Sequence, residues 1–145
     1  MKLTICGSIS FAEEILRIKN QLIQNGHEVF APQSIVDFAI QNATDADKLK
    51  SKREKYINEI KPLYTKNHFG LIENSEAILV VNMSKNGIEN YIGGATFAEI
   101  MVALYLDKKI FFLNPIPKDE KLSFLIDELE AAKPIVINGN LEMIK

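Results

Sequence analysis

Ala77-Ile-Leu-Val-Val81 is five consecutive apolar residues held between polar Ser75-Glu76 and Asn82. A run this short, without polar alternation, reads as a strand buried on both faces. The same signature recurs on either side of it. Leu3-Thr-Ile-Cys6 ends at Gly7, His27-Glu-Val-Phe-Ala31 is closed by Pro32, and Lys109-Ile-Phe-Phe-Leu113 runs into Asn114-Pro-Ile-Pro117. Pro134-Ile-Val-Ile137 supplies a short fifth run.

Between these runs the period changes to that of a helix. Phe11, Ile15, Leu16, Ile18, Leu22 and Ile23 share one helical face, and Asn25-Gly26 is a C-terminal stop. Thr44-Asp-Ala-Asp47 reads as a capped helix start, with acids in the first turn. Pro62 is expected to break that helix, and a second piece then runs from about Tyr64 to Ser75. Asn82 to Asn90 is polar loop, followed by a helix after Gly93-Gly94 and another from Lys121 to Ala132. Unbroken apolar strands alternating with helices predict a parallel sheet covered on both sides. The expected fold is a flavodoxin/Rossmann-like three-layer α/β sandwich with five strands in the order 2-1-3-4-5. No repeat, linker or low-complexity tract divides residues 1–145, so a single domain is expected.

Composition excludes several classes. A formal charge of −2 with no basic face gives no reason to expect a nucleic-acid polymer as partner. The densest basic stretch, Lys48 to Lys55, is flanked by Asp45, Asp47, Glu54 and Glu59 and reads as a solvated helix face. No segment approaches the roughly 18 apolar residues that span a bilayer, and no leader precedes the first strand, so the expected compartment is the cytoplasm. Cys6 has no disulfide partner and reads as an inert buried strand residue. With His27, His68 and Cys6 far apart in sequence, no metal site is expected, and no cofactor loop of the GxGxxG or Walker type is present.

In sheets of this order ligands bind outside the carboxyl ends of the strands, near the reversal of strand order. That rule selects Gly7-Ser8-Ile9-Ser10, the stretch from Asn82 to Thr96, and Asn114. The Gly7-Ser8-Ile9 turn offers backbone N–H groups to an anion or a hydroxyl, or is simply a capped strand-to-helix turn. Gly93, Gly94, Ala95 and Thr96 repeat that arrangement, and Tyr91 offers a ring face or a hydroxyl. Asn82 and Asn114 end their strands and suit sugar hydroxyls or base edges, though each is also a common turn former. His68 reads as structural or as an interface residue.

Glu99 is the only charged residue between Asn90 and Leu106. A helix this apolar is expected to be buried, and a lone carboxylate on it needs a partner, a cavity or a changed protonation. Behind a glycine turn it is placed to act as nucleophile or base. The alternative is an ordinary glutamate on a narrow solvent-facing stripe.

Three stretches resemble the nucleoside 2-deoxyribosyltransferase superfamily, including its 2'-deoxynucleoside 5'-phosphate N-hydrolase branch. They are Ile5-Cys-Gly-Ser-Ile9, Glu73-Asn-Ser-Glu-Ala-Ile-Leu-Val-Val81 and, most specific, Gly93-Gly-Ala-Thr-Phe-Ala-Glu99. Lys108-Lys-Ile-Phe111 matches the family's step into the next strand. The resemblance implies cleavage or transfer of the N-glycosidic bond of a deoxynucleoside or its monophosphate, with Glu99 as nucleophile. It also implies a homodimer or larger homo-oligomer. Two positions depart from the pattern. Ser10-Phe11-Ala12 stand where the hydrolase branch has Gly-Gly-Arg, so the arginine that holds a 5'-phosphate is missing, which points toward a nucleoside. Asn82 stands near the place of a sugar-binding aspartate in the transferase branch. The glycine-to-glutamate stretch is also similar to the Pro-Gly-Gly-x-Gly-Thr-x-x-Glu motif of lysine decarboxylase-like phosphoribohydrolases, without its proline and middle glycine. Two readings outside catalysis stand beside these: a nucleoside- or nucleotide-binding module without turnover, and a purely structural domain.

Overall fold

The computed structural model describes residues 1–41 and 53–145, with side chains outside 38–41. Five parallel strands form one sheet: β1 (Lys2–Gly7), β2 (Glu28–Phe30), β3 (Ala77–Val81), β4 (Lys109–Phe112) and β5 (Ile135–Val136), in the order β2-β1-β3-β4-β5. The order matches the sequence expectation, and its reversal point lies between β1 and β3. There Leu3 pairs with Ala77 and Gly7 with Val81, which brings the two strand ends out level with one another.

Alternation along the strands divides the core in two. Leu3, Ile5, Leu79, Val81 and Phe111 face α1 (Ala12–Gln24) and α2 (Gln33–Gln41). Cys6, Ile78, Val80, Ile110 and Phe112 face the other way, toward α3 (Lys61–Glu73), α4 (Gly94–Tyr105) and α5 (Ile126–Ala131). All five residues of β3 are fully buried, as a central strand between two helical layers requires. Among the described residues no helix is long and apolar enough to cross a membrane.

Most local signals act as expected. Asn25 and Gly26, the latter at φ +93°, close α1 with bonds from Gly26 N to Ile23 O and His27 N to Leu22 O. The predicted last long helix is instead a 3₁₀ stretch (Glu120–Leu125), capped by the Asp119 carboxylate, running into the short α5. The predicted start at Thr44, and most of the basic stretch after it, lie outside the described residues.

Pro62 does not break the chain's helical path. A helical turn (Arg53–Lys55) and a π-helical stretch (Tyr56–Ile60) lead directly into α3. Proline has no N–H to give, and here it falls at the first turn of α3, where none is needed. The wider turn just before it, closed by Lys61 N to Tyr56 O, accommodates the change. The helix carrying Glu99 is not buried all round either. Ile100 and Ala103 are in the core, but Ala98, Leu104 and Tyr105 are exposed, so the helix covers the sheet with one face only.

Candidate active site

Tight packing creates the first turn of the site. A Cβ on Gly7 would lie 3.1 Å from both Ile15 Cδ1 and Val81 O, so glycine lets β1 turn this close to α1 and β3 without displacing either. Ser8 follows as a cap whose hydroxyl accepts from Ser10 N at 3.3 Å and from Lys85 Nζ at 3.1 Å. Lys85 is delivered by a tight turn in the loop after β3. Lys85 and Ile88 exchange two backbone bonds of 3.0 Å across Asn86-Gly87, both at positive φ. Its ammonium also stands 5.1 Å over the Tyr91 ring, tying this loop to the β1 turn.

The second turn opens α4. Gly93, at φ −85° and ψ 175°, precedes the helix, and a Cβ there would lie 3.2 Å from the Tyr91 hydroxyl and 3.3 Å from its ring. Gly94 has open space where a side chain would be, so the helix start is uncovered. Thr96 is buried, and Glu99 comes one turn later.

Between these two turns and α2 and α3 lies a cavity of about 190 Å³. Of the residues expected from sequence, Gly7, Ser8, Ile9, Tyr91, Gly93, Gly94, Ala95, Thr96 and Glu99 line it. Asn82 and Asn114 do not. Asn82 is fully buried, and its amide donates to the carbonyls of Asn114 and Pro115 at 2.9 and 3.0 Å. Asn114 N and Nδ2 return 2.9 Å bonds to Asn82 Oδ1 and O. Their hydrogen-bonding groups clamp the ends of β3 and β4 to each other, which is a structural task and leaves little for a ligand. Two wider hollows, near Arg53–Glu59 and between Gly87 and Asp119, are open surface features.

The cavity also takes in residues that sequence reasoning passed over. Lys61, Tyr64, Thr65 and His68 line it from α3, joined by Tyr56, Ser34 and Ile35. Their signal was present as spacing. Positions 61, 64, 65 and 68 follow i, i+3, i+4 and i+7, so four polar side chains share one inward face.

His68 Nε2 lies 3.5 Å from Glu99 Oε2 and 3.4 Å from Cys6 Sγ. The His68 and Glu99 side chains are 3% and 13% exposed, and Cys6 is fully buried. Sixty-two residues of separation between Cys6 and His68 therefore vanish in the fold. Burial pushes the Cys6 thiol well above its usual range. The Glu99 carboxylate nearby adds to this, disfavouring a thiolate beside it. Glu99 Oε2 and His68 Nδ1 are buried without hydrogen-bond partners. Glu99 is thus withdrawn from bulk water, and the basic group facing it is a histidine, cationic only when protonated. Tyr64 donates to Asp37 Oδ2 at 3.3 Å, and its phenol is held above the ordinary range by burial and by that carboxylate.

Such an arrangement suits a small polar organic ligand. Ser8, Ser34, Thr65 and Thr96, three tyrosines and Glu99 line one space. No protein-family model matches the sequence, and no curated protein matches it.

Proposed function

We propose that the protein cleaves or transfers the N-glycosidic bond of nucleosides or their 5'-monophosphates, with Glu99 as nucleophile. The observation that carries this reading is the Glu99 carboxylate, 13% exposed, with Oε2 lacking a hydrogen-bond partner beside a cavity. The resemblance of Gly93 to Glu99 to the nucleoside 2-deoxyribosyltransferase superfamily supplies the substrate class.

In this reaction a Glu99 oxygen attacks C1' as the bond from C1' to the base nitrogen breaks. The bonding pair leaves with the base, which takes up a proton. Water or a second base then attacks C1' and loses a proton to solvent as the bond to the Glu99 oxygen breaks, giving free sugar or a new nucleoside and restoring the carboxylate, as in retaining carboxylate glycosidases. Those enzymes use a second carboxyl group as acid. Among the described residues lining this cavity Glu99 is the only carboxylate, so the departing base is protonated by another group or by water. Tyr56, Tyr64 and Tyr91 offer faces against which a base can stack.

A cytoplasmic homodimer or larger homo-oligomer belongs to the same reading. Leu63, Leu104 and Tyr105 leave apolar surface on α3 and α4 that a second copy would cover. Light scattering tests that part directly.

The decisive assay incubates the protein with ribo- and deoxynucleosides and their 5'-monophosphates and measures free base by chromatography. The expected result is release from at least one deoxynucleoside or its monophosphate, and an added acceptor base separates transfer from hydrolysis. Thermal stabilisation by a nucleoside without any free base would instead identify a binding module. The absence of both release and stabilisation would overturn the reading.

A further inference from the structure

We infer that Cys6, His68 and Glu99 form a binding site for a thiophilic divalent cation such as Zn²⁺, and that an ion held there silences the Glu99 carboxylate. Three elements contribute one donor atom each: the end of β1, the inward face of α3 and the second turn of α4. The three donor atoms lie within 4.8 Å of one another.

Spacing is the first argument. Around a tetrahedral zinc, with bonds of about 2.3 Å to sulfur and about 2.0–2.1 Å to nitrogen and oxygen, neighbouring donors stand about 3.3–3.6 Å apart. Here Sγ to Nε2 is 3.4 Å and Nε2 to Oε2 is 3.5 Å. Donor chemistry is the second. One thiolate, one imidazole and one carboxylate select zinc or cobalt over magnesium or calcium, which prefer shells of oxygen. Hydrogen bonding is the third. Nε2 has only the weak sulfur of Cys6 as hydrogen-bond partner, and Oε2 stays without a hydrogen bond. A cation at the centre of the triangle satisfies all three atoms together.

Binding replaces the Cys6 S–H bond by a metal–sulfur bond and releases that proton to solvent, with no change of oxidation state. Three protein donors leave a fourth coordination position for water or a ligand, and His68 and Glu99 both border the cavity. His68 Nδ1 lacks the hydrogen bond that usually fixes a zinc-bound imidazole, so the ion is exchangeable rather than one required for folding. A carboxylate bound to the metal is no longer available as a nucleophile.

The test is a Co²⁺ titration of the metal-free protein, read by absorption. One cobalt per chain should give a thiolate-to-cobalt charge-transfer band and the intense visible bands of a four-coordinate site, and Zn²⁺ should abolish both. Cys6→Ser should remove the charge-transfer band. Glu99→Gln, at the cavity edge, keeps the thiol and should weaken cobalt binding by about ten-fold or more. It keeps the test decisive if Cys6→Ser does not fold. A folded wild-type protein without a charge-transfer band in excess Co²⁺ would overturn the site, as would a band unchanged in both variants. This readout needs no turnover, so failure of the glycosidase reading leaves the metal result standing, and the reverse holds too.

Discussion

His68 and Glu99 face each other across 3.5 Å from two different helices, with Cys6 lying 3.4 Å from the same imidazole nitrogen. The pair joins a carboxylate that the sequence makes conspicuous to a histidine that it does not. His68 is the basic side chain that faces this carboxylate, and in the proposed reaction it helps to orient Glu99.

Removing the imidazole is therefore expected to cost reaction rate more than binding. His68→Ala should lower kcat for base release by about a hundredfold with a smaller change in KM, as misplacement of a reacting group does. His68→Gln, which retains a donor, should recover part of the loss. Steady-state kinetics on the two variants check this, and equal loss of KM and kcat in both would show that His68 only shapes the pocket.

The Cys6 thiol gives the protein a pH dependence of known sign. Its folded pKa is raised, so the native state holds the proton while the unfolded chain loses it above about pH 8.5. The thiol's contribution to stability is complete below that pH and falls as pH rises toward the folded value, by about 1.4 kcal/mol per pH unit. Urea midpoints between pH 8 and pH 10 should fall more steeply in the wild type than in Cys6→Ala. Parallel slopes would contradict the assignment.

The Asn82–Asn114 clamp predicts instability without a binding defect. Asn82→Ala removes three hydrogen bonds at the ends of β3 and β4 and should destabilise the fold by about 2–3 kcal/mol. The folded fraction should keep its KM. A raised KM with unchanged stability would return Asn82 to the substrate site.

Gly7→Ala tests the close approach behind the first turn. The added methyl meets Ile15 Cδ1 and the Val81 carbonyl at 3.1 Å, and the carbonyl belongs to a fully buried strand. A loss of about 1–3 kcal/mol is expected in chemical denaturation.

The fold was legible because buried parallel strands need no partner information. Ala77–Val81 is apolar at every position, and the glycines, asparagines and prolines after each strand mark where it stops. The two turns of the site were legible for the same reason, since the strand-order rule points at Gly7 and at the loop before Gly93. Asn82 and Asn114 misled because an amide at a strand end satisfies a neighbouring loop as readily as a ligand, and composition cannot separate the two. His68 and Cys6 were hidden by distance along the chain, which says nothing about a helix crossing the end of β1. Reading α3 by its polar stripe, Lys61, Tyr64, Thr65 and His68, rather than by its apolar residues, would have turned His68 toward the cavity. Pro62 misled in another way: a local rule for breaking helices was met by a π-helical turn and a shift in where the next helix begins.

The most direct test of the account compares base release by the wild type and Glu99→Gln, each shown folded by its melting temperature, on the best nucleoside substrate. The amide keeps the size of the side chain and removes its nucleophilic charge. The account predicts a fall of about a thousandfold or more with the fold intact. Equal rates from the two proteins would show that the reaction does not pass through this carboxylate.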